Sequence, residues 1–262
     1  MKKIVLIFLA TIALLGCGKK STDSYDKIKE QGKFIVGLDD TFAPMGFKDE
    51  NGEIVGFDVD LAKEVASRMG VEAEFSPREW SSIIFELKSG NIDMVWNGMT
   101  ITPERQEQIA FSEPYFSNDQ IIMTLADSPV KTAEDLKDKI IGVQLGSSSY
   151  TLVMNNPLSE KVSDIKKYST NAEALMDLEA KRIDAVVIDV IVGEYYAAKK
   201  ETREGKDIFK SLDEALGRED FGVGLRKEDK ELKKEIDKIL GEMKKDGTFD
   251  KIHKKWFGGK EA

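Results

Sequence analysis

The first clear pattern in the chain is an apolar run, Ile4 to Leu15, interrupted only by Thr11 and preceded by the basic Met1-Lys2-Lys3. A bilayer span takes about 20 apolar residues, so this run is too short to cross comfortably and has the make-up of a secretory signal. Beyond it the pattern changes to short apolar segments alternating with helical periodicity. Lys33-Phe34-Ile35-Val36-Gly37 reads as a strand, and Thr41-Phe42-Ala43-Pro44 breaks regular structure. Asn51-Gly52 is a turn signal between two strand-like pieces. Asp58 is expected to cap a helix with Val59, Ala62, Val65, Ala66 and Met69 on one face, ended by Gly70. Val71 to Phe75 reads as a strand. Ser81 or Ser82 then caps a helix with Ile83, Ile84 and Leu87 inward, closed by Gly90, and Ile92 to Trp96 is a buried strand. Thr102 caps the next helix, with Pro103 at its first position and Glu104 in its first turn.

Strand–helix alternation of this kind implies a mostly parallel sheet covered by helices. It restarts with Ile121 to Leu125 as a strand, a helix from Thr132 through Leu136, and Ile140 to Val143 as a strand. Gly146-Ser147-Ser148-Ser149 opens another helix, Asn171 caps one carrying Ala174, Leu175 and Leu178, and Ile183 to Ile188 is a strand. The stretch Glu228 to Lys245 carries Leu232, Ile236, Ile239, Leu240 and Met243 at helical spacing. Asp246-Gly247 stops it, and a short amphipathic turn leads to Trp256-Phe257-Gly258. The chain also echoes itself. Leu87, Ile92, Asp93 and Val95 recur at the same spacing as Leu178, Ile183, Asp184 and Val186. Two similar α/β units suggest two lobes. Ligands in such sheets bind beyond the carboxyl ends of strands, here Asn97-Gly98 and Ile188-Asp189.

Composition narrows the class. The 262 residues are 41% hydrophobic and 33% charged, an ordinary globular balance that excludes a disordered, collagen-like or polytopic membrane chain. The net charge of −9, without a basic stripe, argues against a nucleic-acid partner, whose phosphates must be neutralised. One His and one Cys leave no multi-His or Cys-based metal site and no disulfide framework, so neither metal nor cofactor is expected. His253 reads as solvated or locally bonded. No P-loop is present. The position of the Cys is informative, because Leu14-Leu15-Gly16-Cys17 resembles the bacterial lipoprotein signal, in which a peptidase cuts before the Cys and its sulfur carries a diacylglycerol. The alternative is an ordinary cleaved signal ending near a Cys. On the lipoprotein reading residues 1–16 are removed, which takes away Lys2 and Lys3 but no acid and deepens the charge to −11. Residues 17–24 then form a polar tether, and the protein sits in the periplasm or at the cell surface, held to the membrane through its N-terminal lipid.

Several longer motifs resemble the solute-binding proteins of polar amino-acid ABC importers. They are Asp39-Asp40-Thr41-Phe42-Ala43-Pro44, Gly56-Phe57-Asp58-Val59-Asp60-Leu61, and the stretch Asn97 to Arg105 (NGMTITPER). Phe111-Ser112-Glu113-Pro114-Tyr115, Ile183-Asp184-Ala185-Val186, Gly247-Thr248-Phe249 and Lys255-Trp256-Phe257-Gly258 match as well, in order over about residues 25–258. The resemblance implies a two-lobed periplasmic-binding-protein-like fold of type II. Each lobe is a mixed sheet flanked by helices, with lobe 1 from residues 25–116 and 221–262 and lobe 2 from 117–220. Two crossovers near Pro114–Ser117 and Gly217–Phe221 join them. It further implies a monomer, a free L-amino acid as ligand, and an ABC permease with its ATPase as partners.

A free amino acid is a zwitterion, and burying either charge unpaired costs several kcal/mol. Arg105 offers a planar fork for the carboxylate and matches the family's carboxylate-binding Arg, although alone it also reads as a solvated helix Arg. Asp189 matches the family's ammonium-binding Asp, although an Asp there also suits a helix cap. Thr100 offers a hydroxyl and an N–H, Gly98 an unobstructed carbonyl, and Ser148 an N–H at a helix start. The plainer reading of Gly146 to Ser149 is a capped turn. Phe42 and Trp80 match the aromatic positions that flank the ligand side chain, against a core reading. Asp39, Asn97 and Gln144 fall where family members vary to read that side chain. A basic or polar neutral amino acid is therefore expected (arginine, lysine, histidine, glutamine or cystine), and an acidic one is disfavoured. The rival is an enzyme on the same fold, a dehydratase or lytic type, or an amino-acid sensor. The enzyme needs a cleft carboxyl of raised pKa, for which Asp39, Asp40 and Glu113 are the candidates.

Overall fold

The computed structural model describes residues 23–258. The signal run and Cys17 lie outside the described residues. The tether expectation needs correction at its end. Ser24 is not part of a free linker but the buried first residue of the helix Ser24–Gln31, with its N–H on Asp229 Oδ1 at 2.8 Å.

Two sheets organise the molecule. In the first, the strands run in the order Glu72–Pro77, Lys33–Leu38, Met94–Val95, Gly224–Leu225 and Ala110–Phe111, the first three parallel and the last two joined antiparallel. The second runs Asp164–Tyr168, Ile140–Gln144, Ala185–Asp189, Phe116–Leu125 and Phe209–Ser211, with Gly217–Phe221 also paired to Phe116–Leu125. Each sheet is mixed and flanked by helices, giving the two-lobed α/β architecture. The strand Phe116–Leu125 divides its length between partners. Residues Phe116 to Gln120 pair antiparallel with Gly217–Phe221, and residues Gln120 to Met123 pair antiparallel with Ala185–Asp189. The chain thus passes between the sheets twice, side by side.

Helix Phe57–Met69 buries Val59, Ala62, Val65, Ala66 and Met69 as their spacing requires, and helix Lys230–Asp246 buries Leu232, Ile236, Ile239, Leu240 and Met243. Asp58 does not cap the first of these. Gly56 holds the cap position, and Asp58 is fully buried, accepting from the Gly98 N–H at 2.7 Å and the Tyr115 hydroxyl at 2.9 Å. Asn171 likewise gives way to Thr170, which forms a reciprocal capping box with Glu173. Thr132 opens only a single 3-10 turn, Ala133–Leu136. The stretch after Gly247 is a full helix, Thr248–Phe257, rather than a short turn. His253 on it is half-buried and locally packed. It packs 4.7 Å from the Phe257 ring and 5.9 Å from Phe57, and burial lowers its pKa below the usual value.

Candidate functional site

The carboxyl ends of the parallel strands of the two sheets face one another, and the polar residues there meet. Arg105 enters from the short helix Pro103–Gln106, whose start is fixed by Thr102 Oγ1 accepting the Arg105 N–H at 3.2 Å. Its guanidinium is buried. Nη1 donates to the Thr100 carbonyl of its own lobe at 2.9 Å, and Nη2 to the Gly146 carbonyl of the other lobe at 3.1 Å. Each of these nitrogens carries a second hydrogen, so the fork retains donors for an anion. Its Cζ lies 5.9 Å from the centre of the Trp80 ring.

Asp189 stands at the last position of strand Ala185–Asp189 and at the cap position of helix Val190–Glu204, yet its side chain makes no cap bond. Its Oδ1 instead accepts from Asn118 Nδ2 at 2.8 Å and Gln120 Nε2 at 2.9 Å. Complete burial, with the Glu219 carboxylate beside it, holds its carboxyl well above the ordinary range. Between the two charged groups, Thr100 Oγ1 lies 3.1 Å from Ser148 Oγ, a contact between lobes. Ser148 is the first residue of helix Ser148–Met154, capped by Ser147, which accepts the Tyr150 N–H at 3.0 Å. Gly98 sits at a left-handed φ of 56°, where a Cβ would stand 2.6 Å from Phe42 Cε1. The absence of a side chain keeps this bend beside the aromatic ring.

Phe42 and Trp80 are both buried, with parallel rings whose centres are 6.4 Å apart at an interplanar angle of 1°. Deeper in the cleft, Gln144 Nε2 donates to Asp39 Oδ2 at 2.7 Å and to the Ser169 carbonyl at 3.0 Å, and Asn171 Nδ2 donates to Gln144 Oε1 at 3.2 Å. Asp39 Oδ1 takes the Thr41 N–H and hydroxyl at 2.9 and 2.7 Å, and Asn97 Oδ1 accepts the Asp39 N–H at 3.0 Å. Burial outweighs these bonds and raises the Asp39 pKa. A cavity of about 290 Å³ lined by Asp39, Arg78, Trp80 and Thr170 opens beside this end. A separate apolar cavity of about 350 Å³, lined by Pro44, Phe116, Val190, Tyr195 and His253, lies behind the paired crossover strands.

All ten residues that the sequence singled out for a ligand therefore converge on one cleft. Of the two further candidate acids, Asp40 lines the cavity beside the cleft and Glu113 lies away from it. Asp40 pairs with Lys48 at 2.5 Å, and the exposed Glu113 stands 3.5 Å from Lys233. Four residues of the cleft were missed: Asn118, Gln120, Glu219 and Asn171. The first three lie on the crossover strands, whose short alternating stretches resemble any half-exposed strand. Only the cross-strand register reveals that they face Asp189.

This two-lobed fold with a buried cation and anion facing each other across the cleft defines a ligand-capturing protein. The model of bacterial extracellular solute-binding proteins, family 3, matches residues 34–259, and the chain belongs to that family. It is similar to the L-cystine-binding protein TcyJ of Escherichia coli strain K12, 35% identical over 235 residues that cover 89% of this chain and 85% of the relative. It is also 35% identical over 266 residues to the arginine-binding extracellular protein ArtP of Bacillus subtilis, which it covers in full. Among solved structures it resembles an ABC uptake transporter substrate-binding protein of Streptococcus pneumoniae with bound histidine. The TM-score there is 0.86 at 38% identity, covering 91% of this chain and 97% of that one. These relatives carry the names of binding proteins rather than of enzymes.

Proposed function

We propose that the protein captures a free L-amino acid with a basic or polar neutral side chain between its lobes and delivers it to an ABC permease with its ATPase. The observation that carries this reading is the placement of buried Arg105 from one lobe and buried Asp189 from the other on either side of the Thr100–Ser148 contact, without a direct bond between them. A zwitterion needs such a buried cation and anion together. The ligand carboxylate takes the remaining Arg105 donors and the N–H groups of Thr100 and Ser148. The ammonium takes Asp189 and the Gly98 carbonyl. The side chain passes between Phe42 and Trp80, whose parallel rings at 6.4 Å approach the separation of about 7 Å that two stacked contacts across a planar group require. It ends at Asp39, Asn97 and Gln144. Asp39 is a buried carboxylate partnered by neutral donors, so a cationic or amide-bearing end is favoured and an acidic one is repelled.

On this reading residues 25–116 with 221–262 and residues 117–220 are the bodies that close, and the crossovers Pro114–Ser117 and Gly217–Phe221 are the hinge. A ligand bridging both bodies binds the closed form better and shifts the population toward it. The relatives named for cystine, arginine and histidine support this ligand class. The reading needs only a monomer, because it uses no residue of a second copy. Removal of residues 1–16 and lipidation of Cys17 would tether the binder beside its permease, and mass spectrometry of the mature protein showing no diacylglycerol on Cys17 would refute the anchor. Calorimetric titration against the twenty amino acids and cystine tests the function. Micromolar or tighter binding of at least one basic or polar member is expected, and the absence of any would overturn it. Arg105→Ala is expected to weaken that ligand by about 3 kcal/mol, roughly 150-fold.

A further inference from the structure

We propose that Glu219 is a second anion of the ammonium subsite, so that the cleft selects a primary ammonium held jointly by Asp189 and Glu219. The inference rests on the amino-acid reading of the cleft and extends it to a residue on a crossover strand. Its basis is register. Asp189 pairs with Gln120, and Glu219 pairs with Asn118, on either side of the strand Phe116–Leu125. Residues two apart on a strand share a face. Asn118 and Gln120 therefore stand in a row between the two acids, and each amide donates to both. Asn118 Nδ2 reaches Asp189 Oδ1 at 2.8 Å and Glu219 Oε1 at 3.1 Å. Gln120 Nε2 reaches the same two oxygens at 2.9 and 2.8 Å.

Glu219 Oε1 also accepts from Thr100 Oγ1 at 2.9 Å and Ser148 Oγ at 3.2 Å. It thus touches the hydroxyls of both lobes where the ligand backbone is to lie. The charged groups facing it are Asp189 and Arg105. Arg218 and Asp220 are exposed on the opposite face of its strand, where Asp220 accepts from Ser117, and Asp119 stands opposite Arg218 on that same face.

A –NH3+ group offers three hydrogens, enough for Asp189, Glu219 and the Gly98 carbonyl together. A secondary amine offers two and leaves one of these acceptors unpaired, a loss that discriminates strongly in a buried site. Burial and the Glu219 carboxylate beside it raise the pKa of Asp189, so Asp189 holds a proton that an arriving ammonium displaces.

The test is calorimetry of the wild type and Glu219→Gln with L-arginine, L-histidine, L-glutamine and L-cystine, and with the Nα-methyl derivative of whichever binds. Each titration is run in two buffers of different ionisation enthalpy. The wild type is expected to release a fraction of a proton on binding and to reject the N-methyl ligand. Glu219→Gln, with its unfolding temperature checked, is expected to bind at least tenfold more weakly, to release no proton and to narrow the N-methyl discrimination. Affinity within twofold and unchanged proton release in Glu219→Gln would overturn the inference. So would tighter binding, which would mean that Glu219 competes for the Thr100 and Ser148 hydroxyls. Failure of the wild type to bind any of the four would instead refute the amino-acid reading itself, and this inference with it.

Discussion

In the first lobe the Asp93 N–H donates to the Ile35 carbonyl at 2.8 Å, and its carboxylate accepts the Ile35 N–H at 2.9 Å. In the second lobe Asp184 does the same with Ile140, both bonds being 2.8 Å. Two residues further along each receiving strand stands a glycine. A Cβ on Gly37 would fall 2.3 Å from Ile92 Cδ1, and one on Gly142 would fall 2.7 Å from Ile183 Cδ1. Counting on from these anchors, Asp39 and Gln144 occupy equivalent ends of the two strands, and they bond to each other across the cleft. Gly98 and Asp189 are equivalent in the same way. One supporting unit is thus used twice, and the chemistry lies in the residues by which its two copies differ.

The surroundings of the repeated aspartate differ as well. Asp93 is buried, 3.4 Å from Arg226, which also donates to the Leu87 and Ile92 carbonyls and to Ser24 Oγ and pairs with Asp229 at 2.9 Å. This network ties the start of the fold to the segment that returns after the second crossover. Asp184 is half-exposed, 3.6 Å from Lys139 alone. The first lobe is assembled from distant parts of the chain and needs such a clamp. The second is nearly continuous, and its chain connectivity already holds the strands together.

The largest expected effect comes from Asp58, the buried acid beneath Gly98, whose pKa burial raises to about 7. Because the folded state holds this proton more tightly than the unfolded state, stability falls as pH rises from about 4 to about 7. The loss is on the order of 4 kcal/mol at 1.36 kcal/mol per unit. Urea titrations across that window are expected to show the slope in the wild type and a flatter profile in Asp58→Asn. Equal slopes would show that Asp58 does not hold this proton in the folded state. Next, Asp93→Ala is expected to cost about 3 kcal/mol, since it strips a charge partner from the buried Arg226. Gly146 bears on how the lobes meet. It has a left-handed φ of 79°, and a Cβ there would stand 2.9 Å from Ser81 Cα of the other lobe. Gly146→Ala is expected to weaken ligand about tenfold, or 1.4 kcal/mol, by holding the lobes apart. An unchanged affinity would show that the two bodies do not approach this closely when loaded. The smallest is Asp184→Ala, about 1 kcal/mol for one hydrogen bond. A loss equal to that of Asp93→Ala in denaturant melts would show that the clamp around Arg226 adds nothing.

Much of this was legible beforehand. The long helices announce themselves because a 3.6-residue period of apolar side chains survives whatever they pack against, as Leu232 to Met243 show. The strand boundaries were less accurate. Ile92 to Trp96 forms a ladder only at Met94–Val95, since pairing depends on the neighbouring strand's length. Asp58 and Asn171 are residue types that favour caps, and local pattern alone points to a cap at each. The fold instead uses them to brace Gly98 and Gln144 from below.

The sequence by itself determined the repeated strand–helix units and the residues at their carboxyl ends, because these follow from local periodicity, while the ten candidate residues of the cleft came from motifs that resemble a known family. Only the tertiary structure decided that Asp189 turns from its helix to Asn118 and Gln120, that Asp39 meets Gln144, and that Glu219 joins them. Those contacts span 69 to 105 residues of chain. They depend on cross-strand register and lobe approach, which no local pattern encodes.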